Sequence, residues 1–278
     1  MKLLISADSA CDLSAELLSA YHIAVTPLYV SFDGVSKRDG VECTAADILA
    51  HTARTGRLCT TAAVSIGDYA DFFAAMCEQY EAIVHFTLSS EMSSCYQNAR
   101  AAAEDYPDRV FVVDSRSVSA ALGLQAVRAA QDRDSGLRAE EIYERALARR
   151  EKIHISFIPD TLEYLRKGGR CSALSALGAN VLKLKPCIEA VDGRLELRKK
   201  YRGTLSRVLK ELVRDQLSEH TDIRRDMILL PNNLSDSAVA EAVRESISAA
   251  HVEFCPLGAT VVSHCGPDTL GIVVERGE

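Results

Sequence analysis

The chain has 278 residues, 47% of them hydrophobic and 26% charged, with a formal net charge of −7. This is the ordinary balance of a globular protein, with room for one large domain or two ordinary ones, and it excludes a disordered chain. The acidic balance argues against nucleic-acid binding. No apolar run approaches the ~20 residues of a membrane span, so no integral membrane segment is expected.

The start, MKLLISADSACD, lacks the apolar h-region of a signal peptide, so the chain is expected to stay in the cytosol. KLLISA reads as a short buried strand, DLSAELLSAY as a helix, and IAVTPLYVSF as a second strand ended by the turn Asp33-Gly34. Thr44 with Asp47, and Ser65 with Asp68, mark two capping-box helix starts. A strand at AIVHFTL follows, then a helix from about Met92 to Glu104, a strand at RVFVVD and a helix from about Val118 to Asp132. Strands separated by helices of this length indicate crossover units and a largely parallel sheet.

After the charged helix EEIYERALARREK the pattern changes. KIHISFIP is a strand, DTLEYLRK a short helix, and a helix near SALSALGANVL follows a Gly-Gly break. KPCIEAVDGRLELRKK is a hairpin turning at Asp192-Gly193. Leu205, Val208, Leu209, Leu212, Val213 and Leu217 repeat at helical spacing. MILLP, VEFCPLG, ATVVSH and LGIVVE read as strands, with a helix at DSAVAEAVRESISAA. The expectation is an α/β chain of two domains, 1–152 with a mostly parallel sheet and 153–278 with a mixed sheet.

Nine cysteines are present without a CxxC pair, so a structural zinc site is not expected and the thiols read as small apolar fillers. The seven histidines are isolated, which gives no metal pair. No GxxxxGK[ST], GxGxxG or GxSxG occurs, so the chain shows neither a phosphate cradle nor a nucleophile elbow. What remains is a set of hydroxyls at element ends. Thr60 and Thr61 precede AAVS. Ser89, Ser90, Ser93 and Ser94 follow the buried strand AIVHFT, where open α/β sheets bind ligands and a helix start offers N–H groups to an anion. One serine is explained by plain N-capping, but the rest exceed what a cap requires. His264, read as ending a strand before Cys265-Gly266-Pro267-Asp268, is placed to donate to an anion.

These segments also carry a resemblance. ADSACDLS (7–14), VTPLYVSFDG (25–34), TTAAVS (60–65), LSSEMSSCYQNA (88–99), VDS (113–115), DTLEYLRKGGR (160–170), KPCIEAVDGRLELRKKYRG (185–203) and SHCGPDTLGI (263–272) resemble the DegV family in order and spacing over nearly the whole chain. The resemblance implies a two-domain EDD fold holding a long-chain fatty acid between its domains, with no other cofactor. Some members of that family are lipid-binding subunits that present the acid to an ATP-dependent fatty-acid kinase, which makes an acyl phosphate for phospholipid synthesis. By motif, the carboxylate contacts are Thr61, Ser93 and His264, with Thr60 and Ser94 as further candidates. Arg170 and Arg202 match arginines tied to kinase docking and phosphoryl transfer. The chain departs from the family pattern at Ser94 and Cys95, where glycine and threonine are usual, and at Asp268, where glycine is usual.

The physics agrees with that implication. A palmitoyl tail of ~14 methylenes at ~0.8 kcal/mol each supplies roughly 11 kcal/mol, less several kcal/mol for ordering. The carboxylate opposes burial unless it is hydrogen-bonded, and charge-assisted bonds from hydroxyls and an imidazole offset that loss. From Arg166 to Arg202, ten Lys or Arg stand against three acids, either a solvated face or a docking surface for an acidic kinase. Two other readings remain from the sequence: a free-standing lipid carrier or sensor, and an acyl hydrolase using Ser93 or Cys95 with His264, for which Asp8, Asp12 or Asp114 would be the acid.

Overall fold

The computed structural model describes residues 2–171, 184–219 and 222–277. The first segment forms β1 (Leu3–Asp8), α1 (Ala15–Ala20), β2 (Ile23–Thr26), β3 (Tyr29–Phe32), β4 (Val35–Arg38) and α2 (Ala45–Thr55). It continues through β5 (Thr60–Ala62), α3 (Ile66–Cys77), β6 (Ala82–Thr87), α4 (Cys95–Ala103), β7 (Val110–Asp114), α5 (Ala120–Asp134) and α6 (Ala139–Arg149). Four strands make a wholly parallel sheet in the order β2-β1-β6-β7. β1 and β6 are buried at every position, as expected of strands covered on both faces. Both capping boxes form, Thr44 with Asp47 on α2 and Ser65 with Asp68 on α3.

IAVTPLYVSF is not one strand. It divides at Pro27, whose missing N–H interrupts a ladder: β2 joins the parallel sheet, while β3 joins a separate sheet in the order β4-β3-β5. Asp33 and Gly34 both take positive φ, 52° and 77°, the signature of a two-residue hairpin turn of the I′ kind. That turn pairs β3 with β4, a strand that the polar sequence VSKR does not announce.

The remaining elements are β8 (Ile153–Pro159), α7 (Glu163–Gly168), β9 (Lys185–Val191), β10 (Arg194–Tyr201), α8 (Leu205–Glu219), β11 (Ile228–Asn232), α9 (Ser237–Arg244), β12 (Val252–Pro256), α10 (Ala259–Cys265) and β13 (Thr269–Glu275). Their six-stranded mixed sheet has the order β10-β9-β8-β13-β11-β12. The β9–β10 hairpin turns at Asp192-Gly193, again with positive φ at both residues. The expected helix near SALSALGANVL lies outside the described residues.

A second expectation is overturned. ATVVSH is not a strand: it is most of α10, and His264 sits in that helix's last turn. The β-branched run favours a strand only weakly, and a remote residue decides. The Asp39 carboxylate accepts from the backbone N–H groups of Ala259 and Thr260, at 2.9 and 3.1 Å, and so satisfies the free donors of a helix start.

The two larger sheets share an interior. Every residue of α5 from Ala120 to Ala130 is buried. The helix packs on β1 and β6 as well as on β8, β11 and β13. Leu3, Ile5 and Val84 therefore lie in one apolar cluster with Ile155, Leu229 and Val273. Arg128, buried on α5, completes the junction: its Nε donates to Glu275 at 2.6 Å, and its other nitrogens grip Asp226 at 2.7 and 3.0 Å.

Candidate functional site

Segments leaving the carboxyl ends of the parallel strands face the mixed sheet across a cavity. Ala10 follows β1, Leu88, Met92 and Ser93 follow β6, and Val118 and Ser119 follow β7. The facing wall is Ile155 and Phe157 of β8, Leu165 of α7, Leu195 of β10, Pro231 of β11, Gly271 of β13 and the inner side of α10. The empty space of the cavity, counting its open mouth, comes to about 820 Å³. Its walls are overwhelmingly aliphatic.

The serine loop is held by carboxylates of the parallel sheet. Asp8, fully buried at the end of β1, accepts from Leu88 N–H at 2.9 Å and from the Tyr69 hydroxyl at 2.5 Å. Asp114, at the end of β7, accepts from both the N–H and the hydroxyl of Ser90. From the other side, the Ser89 hydroxyl donates to the Gly193 carbonyl at 2.7 Å, and Arg194 pairs with Glu91 at 2.6 Å. The β9–β10 turn thus braces the loop that presents Ser93.

The polar part of the cavity wall includes residues far apart in sequence. Thr61 Oγ1 and His264 Nε2 lie 2.8 Å apart. Ser93 lines the same cavity, and so does Arg170. Thr60, by contrast, is the outward neighbour of Thr61 on β5, since successive strand residues face opposite ways. It is exposed, as is Ser94, and neither lines the cavity. Ser93 accepts from the Cys95 N–H at 3.3 Å and donates to the Cys95 sulfur at 3.2 Å. Cys95, where the family pattern has threonine, is therefore a buried packing group beneath the serine. Asp268 turns away from the cavity: its Oδ1 accepts from the N–H and hydroxyl of Ser235.

Burial, reinforced by the nearby Arg170 guanidinium, pulls the His264 imidazole down to about 4, so the ring is neutral at pH 7. Its Nδ1 has no hydrogen-bond partner among the described residues. Gly168 closes over that nitrogen so tightly that a Cβ there would sit 2.4 Å from it. A neutral imidazole offers one donor and one acceptor; with Nδ1 covered by Gly168, Nε2 beside Thr61 is the nitrogen left to meet a ligand.

No hydrolytic triad is assembled among the described residues. His264 pairs with Thr61 rather than with Ser93 or Cys95. Burial pushes the Cys95 thiol up to about 12, with Asp8 adding to the effect, so its reactive thiolate is scarce. Asp8 and Asp114 serve the loop, and Asp12 accepts from Ser119 Oγ and Gly258 N–H; none of them orients His264. No cluster that could hold a metal ion occurs among the described residues.

The basic stretch is less bare than its composition suggests. Lys167 pairs with Glu163, Lys185 with Asp160, Arg194 with Glu91, Arg198 with Glu189 and Lys199 with Asp215. Arg170 and Arg202 are exposed. Arg170 donates to the Gly168 carbonyl at 2.7 Å.

This arrangement matches known proteins throughout its length. A family model described as "Uncharacterised protein, DegV family" matches residues 2–277. The chain belongs to the DegV family. A DegV domain-containing protein of Deinococcus radiodurans is 30% identical over 280 residues, covering 99% of each chain. One from Clostridium perfringens is 30% identical, over 96% of this chain and 95% of its own. Among solved structures, a fatty-acid-binding DegV family protein of Thermus thermophilus superposes with a TM-score of 0.90 at 27% identity, over 99% of this chain and 100% of the other. A stearic-acid-binding protein of Eubacterium ventriosum does so at 0.82 and 26%, over 98% and 97%. The DegV fold expected from the motifs is thus the fold observed, and no helix among the described residues is long and apolar enough to cross a membrane.

Sequence reasoning missed Asp39 and Ser119, and it weighed Asp12 only as a hydrolytic acid. Asp39 holds the start of α10. Asp12 accepts from Gly258 N–H at 2.8 Å, and Ser119, on the cavity wall, donates to Asp12 at 2.5 Å. The left-handed backbone at Asp12, φ 50°, is the kind of turn that Asp and Asn tolerate. That is the faint signal the sequence held.

Proposed function

We propose that this chain binds one long-chain fatty acid, tail in the apolar cavity, carboxylate at Thr61, Ser93 and His264. The observation that carries the reading is the mostly apolar cavity between the sheets, whose wall includes Thr61, Ser93 and His264, with Thr61 and His264 in contact. Fatty-acid binding by structural relatives supports it. The tail drives affinity, because apolar burial scales with its methylenes. The hydroxyls and the neutral imidazole offset the desolvation of the carboxylate.

In this reading the chain acts in the cytoplasm and has no catalysis of its own. It presents the head group to an ATP-dependent kinase partner that forms the acyl phosphate. Arg170, at the head-group end, and the exposed Arg202 are the docking and phosphoryl-transfer residues. The two domains are taken to divide near residue 152, with the acid held between them.

Native mass spectrometry of the purified protein, followed by lipid extraction, tests the ligand. A stoichiometric C14–C20 acid is expected, and its occupancy should fall at least tenfold in Ser93→Ala and His264→Ala without loss of fold. Unchanged occupancy in both variants removes these residues from the head-group site.

A further inference from the structure

A second cavity shares Ile155 with the first and is polar where that one is apolar. It is formed by the loop after β7, the end of α6, the β9–β10 hairpin and the last turns of α8, and its empty space, counting its open mouth, comes to about 1010 Å³. Arg116, Arg150 and Arg198 line it together with four acidic residues. These charges are incompletely matched to one another. Arg116 pairs with no carboxylate among the described residues; its Nη2 donates to the Asp192 carbonyl at 2.7 Å. Its backbone stands in the left-handed region, φ 48°, uncommon for a residue with a side chain, and its N–H is held by Asp114 Oδ1 at 3.0 Å. Arg150 donates to the Asp114 carbonyl at 3.1 Å, and its ion pair is with its own exposed neighbour Glu151. On the mixed sheet, the Glu189 side chain is 17% exposed and is fixed through Oε1, which accepts from Ser156 at 2.9 Å and Gln216 at 3.1 Å. Its Oε2 is left with Arg198 Nε at 3.6 Å, beyond hydrogen-bond length.

We propose that this cavity is a second ligand site, and that its ligand is a small zwitterion, a free amino acid. A lone anion there would face four carboxylates and a lone cation three guanidiniums. A molecule carrying both charges at separate ends meets neither objection. Its carboxylate suits the forked donors of Arg116 and Arg150, since guanidinium–carboxylate bonds are charge-assisted and often bidentate. Its ammonium suits Glu189 Oε2, the carboxylate oxygen without a hydrogen-bond donor. Both partners are already held by the protein, Arg116 by the turn and Glu189 by Ser156 and Gln216, so little ordering is left to oppose binding. Partly buried charges are also screened less than those on an open surface. The inference does not depend on the fatty-acid reading of the apolar cavity.

The test is calorimetric titration of the full chain with each of the common amino acids in turn, before and after loading with palmitate. At least one should bind, and its N-acetyl and amide derivatives, which each lack one of the two charges, should bind at least tenfold more weakly. Palmitate should not displace it. Arg116→Ala should weaken the amino acid at least tenfold. Glu189→Gln, which keeps the size and shape of the side chain, should weaken it at least fivefold and bind palmitate as the wild type does. The inference is overturned if no amino acid binds, if the derivatives bind equally well, if palmitate competes, or if both variants bind as the wild type. Failure of palmitate alone to bind counts against the fatty-acid reading and leaves this one standing.

Discussion

Thr61 Oγ1 and His264 Nε2 are hydrogen-bonded at 2.8 Å across 203 residues of sequence. The threonine lies on a three-residue strand of the small sheet, the histidine on the last turn of a helix whose start is held by Asp39 and Asp12. A group bridging the two is therefore sensitive to anything that shifts α10 against β5.

Gly168 is the most direct way to make such a shift. Its own backbone tolerates a side chain, but an added Cβ would sit 2.4 Å from His264 Nδ1. Gly168→Ala should displace the imidazole and weaken fatty-acid binding by about tenfold or more, a loss of ~1.4 kcal/mol. Calorimetric titration with palmitate into delipidated protein measures this. Near-wild-type affinity would mean that the ring is not a head-group contact.

The arginines should behave differently. Arg170→Ala or Arg202→Ala should leave lipid occupancy intact and impair acyl-phosphate formation when the kinase partner and ATP are supplied. The measurement pairs lipid extraction with phosphate transfer from labelled ATP. Loss of lipid from either variant would make that arginine a ligand contact, whether Arg170, which already lines the cavity, or Arg202.

Acid should act through His264. In the fold its imidazole is pulled down to about 4, whereas the unfolded chain titrates near the ordinary 6.5. Between those values only the unfolded state binds the proton, so stability falls as pH drops below 6.5, and the loss is complete below about 4. The difference is worth about 3 kcal/mol. Urea denaturation of delipidated protein should show His264→Gln losing less stability than wild type between pH 7 and pH 4. Parallel curves for the two would refute the assignment.

Arg128 governs stability instead of binding. Arg128→Ala leaves the buried Glu275 carboxylate without its 2.6 Å partner, although Arg149 and Arg224 remain within 3.6 Å of it. The expected cost is about 2–4 kcal/mol, at or below what breaking a buried pair usually takes. Thermal unfolding followed by circular dichroism checks it, and a change under 1 kcal/mol would show that the remaining arginines suffice.

Local chemistry made much of the fold legible. Capping boxes at Thr44 and Ser65, the Asp33-Gly34 and Asp192-Gly193 turns and the apolar stripe of α8 all stand where their residues put them. ATVVSH misled because its helix start is satisfied by Asp39, some 220 residues away, and no local pattern encodes that bond. Pro27 was visible, but which sheet each side of it would join depends on tertiary pairing. The motif residues Thr61, Ser93 and His264 share one cavity, whereas Thr60 and Ser94 were candidates by adjacency alone and point elsewhere.

The near-complete enclosure of α5 has a consequence for how the molecule comes apart. Neither half owns a finished interior: excising residues 153–278 would leave Ile155, Leu229 and Val273 facing water where the helix had been. Such a fragment would keep the cluster beneath α8 but lose the cover of this one. Melting should accordingly be a single concerted event, and any loosening around the cavity should come from the periphery, not from parting the halves along this shared spine.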